Sequence, residues 1–266
     1  MIGDVPRREQ MSPAAAQLGV ISGLFIREML TRVGRSRLGI LWLMAEPIIL
    51  STMISMLHWL SRSDLPNGLP VFLFYAMSYV PFMMFRSIVN RGSGSIQANI
   101  SLLHHNRITL LDVTLARNLM EMMVCATVIA LYMLVATLFL DEPPHEPALF
   151  VFGLLLSALL ANGLSMVIGS AQVVWEWIEH LVHPFTYLML PISAAFFMLS
   201  AMPPATRELL LWNPLVHVHE MNRWAMFGDR VTPYYDISYV LLWALLLNLV
   251  GMAGLRVARP RLSISD

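Results

Sequence analysis

The chain has 266 residues, of which 57% are hydrophobic and 13% charged, with equal numbers of basic and acidic side chains. So little charge over this length cannot clothe a soluble domain, and the apolar residues fall in runs of about 20, the length that crosses a bilayer. All 17 basic residues are arginine, which excludes a P-loop nucleotide site in this chain because that loop needs a lysine on the phosphates.

Residues 1–13 are polar, with Arg7, Arg8 and Glu9, and form neither a signal peptide nor a span. Over residues 14–34, Leu18, Ile21, Phe25 and Met29 recur at helical spacing, while Arg27, Glu28, Thr31 and Arg32 lie elsewhere on the wheel. This predicts an amphipathic helix lying along a membrane interface. Arg35 and Arg37 then flank an apolar run that opens at Leu38. Spans are expected at residues 38–60, 71–89, 113–140, 148–174, 185–199 and 237–255, the fifth shorter than the rest. Six crossings return the C-terminus to the side of the N-terminus. Under that topology thirteen arginines lie on the side of the termini and four on the other, which makes the termini cytoplasmic. Glu46 and Pro47 fall inside the first span. A carboxylate is costly in hydrocarbon and a proline frees a carbonyl, so both call for protein or water around them, although an acid snorkelling to the headgroups beside a harmless kink fits the same residues. Cys125 lies in an apolar run and reads as a small core residue.

Between the second and third spans, Ile96, Ile100 and Leu103 share one face of a short helix, followed by His104, His105, Asn106 and Arg107. Adjacent histidines point apart on a helix, so no metal pair is expected there. Thr109 with Asp112 three residues on reads as a capping box for the third span. Residues 200–236 are too long for a turn and too apolar for a free loop. Pro203-Pro204 opens a short helix, Asn213-Pro214 breaks it, and a second helix runs to Gly228-Asp229. Trp212, Trp224, Tyr234 and Tyr235 are headgroup anchors, and with the short fifth span this segment reads as a re-entrant helical hairpin. In His217-Val218-His219-Glu220 the two histidines alternate where a helix is expected and no further ligand at suitable spacing follows, so a metal site is not expected, and His180 with His183 reads as structural. The signatures of zinc hydrolases, serine hydrolases and metal-nucleotide transferases are missing, so the chain is read as a non-enzyme. The expected architecture is all-α and polytopic: a cytoplasmic N-terminus over 1–37, a transmembrane domain over 38–255 and a cytoplasmic tail over 256–266.

Arg35-x-Arg37-Leu38-Gly39-x-Leu41-Trp42, followed at short distance by Glu46-Pro47, resembles the opening of the membrane subunits of ABC-2 type polysaccharide exporters. The likeness runs from about Phe25 to the C-terminus, with a second block at 99–116, and within that superfamily it is greatest to the capsular polysaccharide group. The resemblance implies a homodimer with a pore between protomers, served by two copies of a separate ATPase that binds ATP and Mg, and working with periplasmic or outer-membrane export components. It implies a coupling helix at 93–107, with Ile96, Ile100, Leu103, His104 and Arg107 meeting the ATPase, and an outer gate at 200–236. The cargo would be an acidic, lipid-linked polysaccharide, not a nucleic acid. Aromatic rings that stack on sugars suit such a path, and Trp42, Trp59, Tyr75, Tyr79 and Phe82 are candidates, although packing explains them as well. Glu46 and the cations Arg32, Arg35, Arg37 and Arg86 are the polar candidates, with positive-inside anchoring an equal account of the arginines. Another ABC-2 cargo, such as O-antigen, teichoic acid or a lipophilic drug, and a membrane-embedded enzyme are the alternative readings.

Overall fold

A computed structural model describes residues 13–33, 39–61, 65–98 and 108–262, and among these every regular element is helical. Helix α1 spans Pro13–Val33, α2 Gly39–Leu60, α3 Val71–Ser93, and a single turn α4 Ser95–Ala98. Helix α5 spans Leu110–Phe139, α6 Pro147–Val174, α7 Ile178–Ile192, α8 Pro204–Leu210, α9 Pro214–Phe227 and α10 Ile237–Leu262. Five of these, α2, α3, α5, α6 and α10, are long and apolar enough to cross a membrane.

The apolar runs form helices because hydrocarbon leaves the backbone no partner but itself. Two helices are capped where the sequence predicts an end. Thr109 caps α5: the Asp112 N–H donates to Thr109 Oγ1 at 3.2 Å, and the Thr109 N–H donates to Asp112 Oδ2 at 2.9 Å. Asn213 caps α9 with Pro214 at its first position, and Gly228 ends it at φ +58°, a conformation that suits glycine.

Helix α3 is the centre of the bundle, with 78% of its apolar window buried against 17% for α2. Helices α6 and α10 form a seam beside it. A Cβ on Gly163 would stand 2.7 Å from the backbone nitrogen of Asn248, and one on Gly251 3.0 Å from the carbonyl oxygen of Gly163. Only glycine permits that approach. Asn162 Nδ2 donates to Asn248 Oδ1 at 2.7 Å, and Asn118 Nδ2 of α5 donates to Asn162 Oδ1 at 2.7 Å, so a row of amides ties three helices. Because 163 meets 248 while 166 meets 251, α6 and α10 run parallel. Residues 175–236 therefore carry the chain back to the level at which α6 began.

That return differs from the expected span at 185–199. Helix α7 starts at Ile178, is 15 residues long and stops at Ile192, after which Ser193–Met198 turns and a 3-10 turn covers Leu199–Ala201. Its start uses Glu179, His180 and His183, which the expected spans leave in the connection between 174 and 185. Its end is set by Ala194 at φ +57°, locked by the Arg223 guanidinium, whose Nη2 donates to the Ala194 carbonyl at 2.7 Å. Helix α10 also runs further than expected, through Pro260 to Leu262, so most of the segment read as a tail is helix.

Candidate functional site

One end of the bundle is rich in arginine. There α1 lies against the first half of α5 and against α2, with none of its described side chains fully buried. Gln17 donates to Asp112 near its start, and charges fix its other end. Arg32 pairs with Glu121 of α5 and, through Nη2, with Glu28 Oε1 at 2.8 Å. Arg91 of α3 reaches the same Glu121 oxygen at 3.3 Å and Glu46 of α2 at 3.8 Å, and Arg117 of α5 reaches Glu28 at 3.3 Å. Three arginines and three glutamates thus bridge four helices. Burial works against the charge on Arg32, but the Glu121 and Glu28 carboxylates outweigh it and hold its pKa above the ordinary value.

Two cavities meet at this network, sharing Arg32 and Arg91. One, of about 410 Å³, lies between α2, α3 and α5 and is lined by Trp42, Glu46, Pro47, Met83 and Glu121 as well. The other, of about 520 Å³, opens beneath α1 and adds Arg27, Glu28, Asn90 and Arg117, so four cations line it against one acid. The pairs within the network are unequal. Arg32 and Glu121 have side chains only 11% and 7% exposed, whereas Arg91 and Glu46 are 45% and 59% exposed and further apart. An exposed pair of that kind is worth about 0–1 kcal/mol, so Arg91 is the cation that exchanges Glu46 for another anion at least cost.

Of the residues singled out in the sequence, Arg32, Trp42 and Glu46 meet in this site, while Arg35 and Arg37 lie outside the described residues. Trp59 stands at the opposite end of α2, exposed. Tyr75, Tyr79 and Phe82 line neither cavity; they are buried in the core, Tyr75 stacked on His58 at 3.8 Å between ring centroids and Tyr79 on Phe196 at 5.9 Å. Arg86 turns the other way, its guanidinium 3.9 Å over the Tyr187 ring of α7. Ile96 packs inward against Leu110, Met166 and Leu255, beneath Gly169, so it does not face a partner directly. Ile100, Leu103, His104 and Arg107 are outside the described residues. Glu121, Arg91, Glu28 and Arg117 are not among the site candidates of the sequence; an acid inside a long apolar run is the signal that points to Glu121.

The histidines of α9 serve packing. His217 Nε2 lies 2.8 Å from the Leu211 carbonyl and its Nδ1 accepts from the Asp236 N–H at 2.9 Å. Glu220 and Arg223 form a fully buried pair on the same helix, Glu220 Oε1 also accepting from the Leu199 N–H at 3.3 Å. This pair, with the bond to Ala194, fastens the turn after α7 to α9.

The family model described as ABC-2 type transporter matches residues 20–227. The capsule polysaccharide export inner-membrane protein CtrC of Neisseria meningitidis serogroup A is 36% identical over 240 residues, covering 89% of this chain and 90% of that protein. BexB of Haemophilus influenzae, of the same description, is 32% identical over 240 residues, 90% of each chain. The polysialic acid transport protein KpsM of Escherichia coli is 29% identical over 241 residues, 88% of this chain and 91% of that one. A match across most of the chain, at this identity and with near-complete mutual coverage, means that the chain belongs to the ABC-2 type transporter family of membrane proteins.

Proposed function

We propose that this chain is the membrane subunit of an ATP-driven exporter that moves an acidic, lipid-linked capsular polysaccharide across a bacterial inner membrane. The carrying observation is the likeness to CtrC and BexB over nearly the whole chain. The arginine-lined cavities suit the cargo: an anion arriving from the cytoplasmic leaflet meets Arg27, Arg91 and Arg117 under α1, and Arg91 is free to leave Glu46 for a phosphate or a sugar carboxylate.

In this reading the arginine end is cytoplasmic, α1 lies in the interface, and the chain crosses six times with both termini inside. The parallel run of α6 and α10 supports the sixth crossing, since the chain must return between them. Helix α7 alone covers about 22 Å, less than the roughly 30 Å hydrocarbon core. The turn after it, level with Tyr79, leaves irregular backbone at membrane depth, where only protein or a water-filled lumen is tolerated. A second copy across that face supplies both, which supports a homodimer with its path between protomers and the 200–236 hairpin as the outer gate. Two ATPase subunits, holding ATP and Mg, engage the 93–107 segment, and periplasmic or outer-membrane components continue the route.

The test is deletion of the gene in its own host, restored by wild type or by a double lysine or double glutamine variant at Arg32 and Arg91. Loss of surface capsule with polymer retained inside, restored by wild type, is expected. Lysine keeps the charge but not the planar fork, so that variant should insert normally and export poorly. Unchanged surface capsule in the deletion strain overturns the reading.

A further inference from the structure

A third cavity, of about 250 Å³, lies at the arginine end between the first turn of α5 and the last turns of α10. Leu110, Leu111, Met252 and Leu255 make its apolar floor, and Arg256 and Arg259 stand over it. Neither arginine side chain has an ion pair or hydrogen bond among the described residues, unlike Arg32, Arg91 and Arg117. Among the described residues no carboxylate lines the cavity: the nearby Asp112 is buried and turned to Thr109 and Gln17. Val257, between the two arginines, is 65% exposed, and Leu249 and Val250 higher on α10 are 62% and 52% exposed. Exposed aliphatic side chains along a span face acyl chains, so the cavity opens toward the lipid at the depth where the span meets the headgroups.

We propose that this cavity holds the headgroup of one anionic phospholipid, its phosphate on Arg256 and Arg259 and the start of an acyl chain along Met252 and Leu255. Guanidinium groups one helical turn apart match a phosphodiester, and the apolar floor beneath them matches what a lipid carries and a free phosphate lacks. The occupant differs from the export cargo, because this cavity shares no lining residue with the two that meet at Arg32 and Arg91. A lipid here wedges the start of α5, which follows the 93–107 segment, against the end of α10. The inference rests on the proposed function only in taking the arginine end as a membrane surface.

The experiment is native mass spectrometry of the full chain in mild detergent, titrated with phosphatidylglycerol or with phosphatidylcholine as the zwitterionic control. Wild type should keep one phosphatidylglycerol in preference to phosphatidylcholine. Arg256→Gln with Arg259→Gln should weaken that retention about 30-fold, from the roughly fivefold that each arginine near an anionic surface contributes. Met252→Trp keeps both charges and fills the cavity, and should lower retention as well; general charge attraction would leave it unchanged. Equal retention of the two lipids by wild type, or no change in either variant, overturns the proposal. So does loss of a co-expressed ATPase subunit from the double variant with lipid retention intact, which would make the surface a protein interface. Because the readout is lipid retention, failure leaves the export reading standing, and loss of export in the deletion strain leaves this inference to be judged alone.

Discussion

Replacing Glu121 with glutamine removes the acceptor that Arg32 and Arg91 share. If the network holds α1 against the bundle, the local structure should loosen. Taking one partner from a fully buried ion pair costs about 3–5 kcal/mol, whereas an exposed pair is worth about 0–1 kcal/mol. Here Arg32 is 11% exposed but keeps Glu28, and Arg91 is 45% exposed and keeps Glu46, so the expected cost is about 1–3 kcal/mol. The chain carries its own reporter one turn along α5: Cys125, its single cysteine, is 3% exposed and lines the same cavity. A maleimide reaches that thiol only when the site opens, so the labelling rate should rise about fivefold to a hundredfold in the variant at constant temperature. Arg32→Gln should have a similar effect, and the two together should cost less than their sum. Unchanged labelling and melting temperature in Glu121→Gln would refute the claim that the network fastens α1.

Three further outcomes are expected. Arg223→Met should destabilise the protein by about 3–5 kcal/mol in a thermal melt, because it strands the Glu220 carboxylate with the Leu199 N–H, and adding Glu220→Gln should recover much of the loss; a silent Arg223→Met would mean that the pair does not hold the turn after α7. Glu46→Leu should change stability by no more than about 0.5 kcal/mol, since the residue is exposed and loosely paired. Its export rate, measured as surface polymer per inserted subunit, should nonetheless fall if Glu46 shares Arg91 with the cargo. Gly163→Ala sets a Cβ 2.7 Å from the Asn248 nitrogen and should cost about 1–3 kcal/mol, read as a lower melting temperature, whereas the same change at Gly19, which meets nothing within 4 Å, should not.

Much of the fold is legible because the bilayer makes two demands that a sequence cannot hide, apolar length and satisfied backbone. The apolar runs of α2, α3, α5, α6 and α10 answer the first, and the Thr109 and Asn213 caps and the break at Gly228 answer the second. Helix α7 is harder to read, because Pro184 and Pro191 lie inside it and its first turn is polar. What stops it is Arg223, 29 positions away from the Ala194 it holds. The site shows the same limit more sharply. Arg32 and Glu121 are 89 positions apart, and an isolated acid announces that it needs a partner without naming one. Tyr75, Tyr79 and Phe82 show the converse: aromatics at helical spacing serve a core as readily as a lumen, and only burial tells them apart.

The seam between α6 and α10 divides the molecule by the way its parts are held. Where backbones touch through Gly163 and Gly251, cohesion is spread along two helices, and no single side chain can release it. Helix α1 hangs instead on a few ionic and amide contacts, and α2 leaves most of its surface outside the bundle. Amide exchange should therefore begin in α1 and the first turns of α2, and reach residues 160–170 and 245–255 last. A transport cycle that opens the arginine end then works against contacts that salt and competing anions weaken, while the seam supplies a fixed frame.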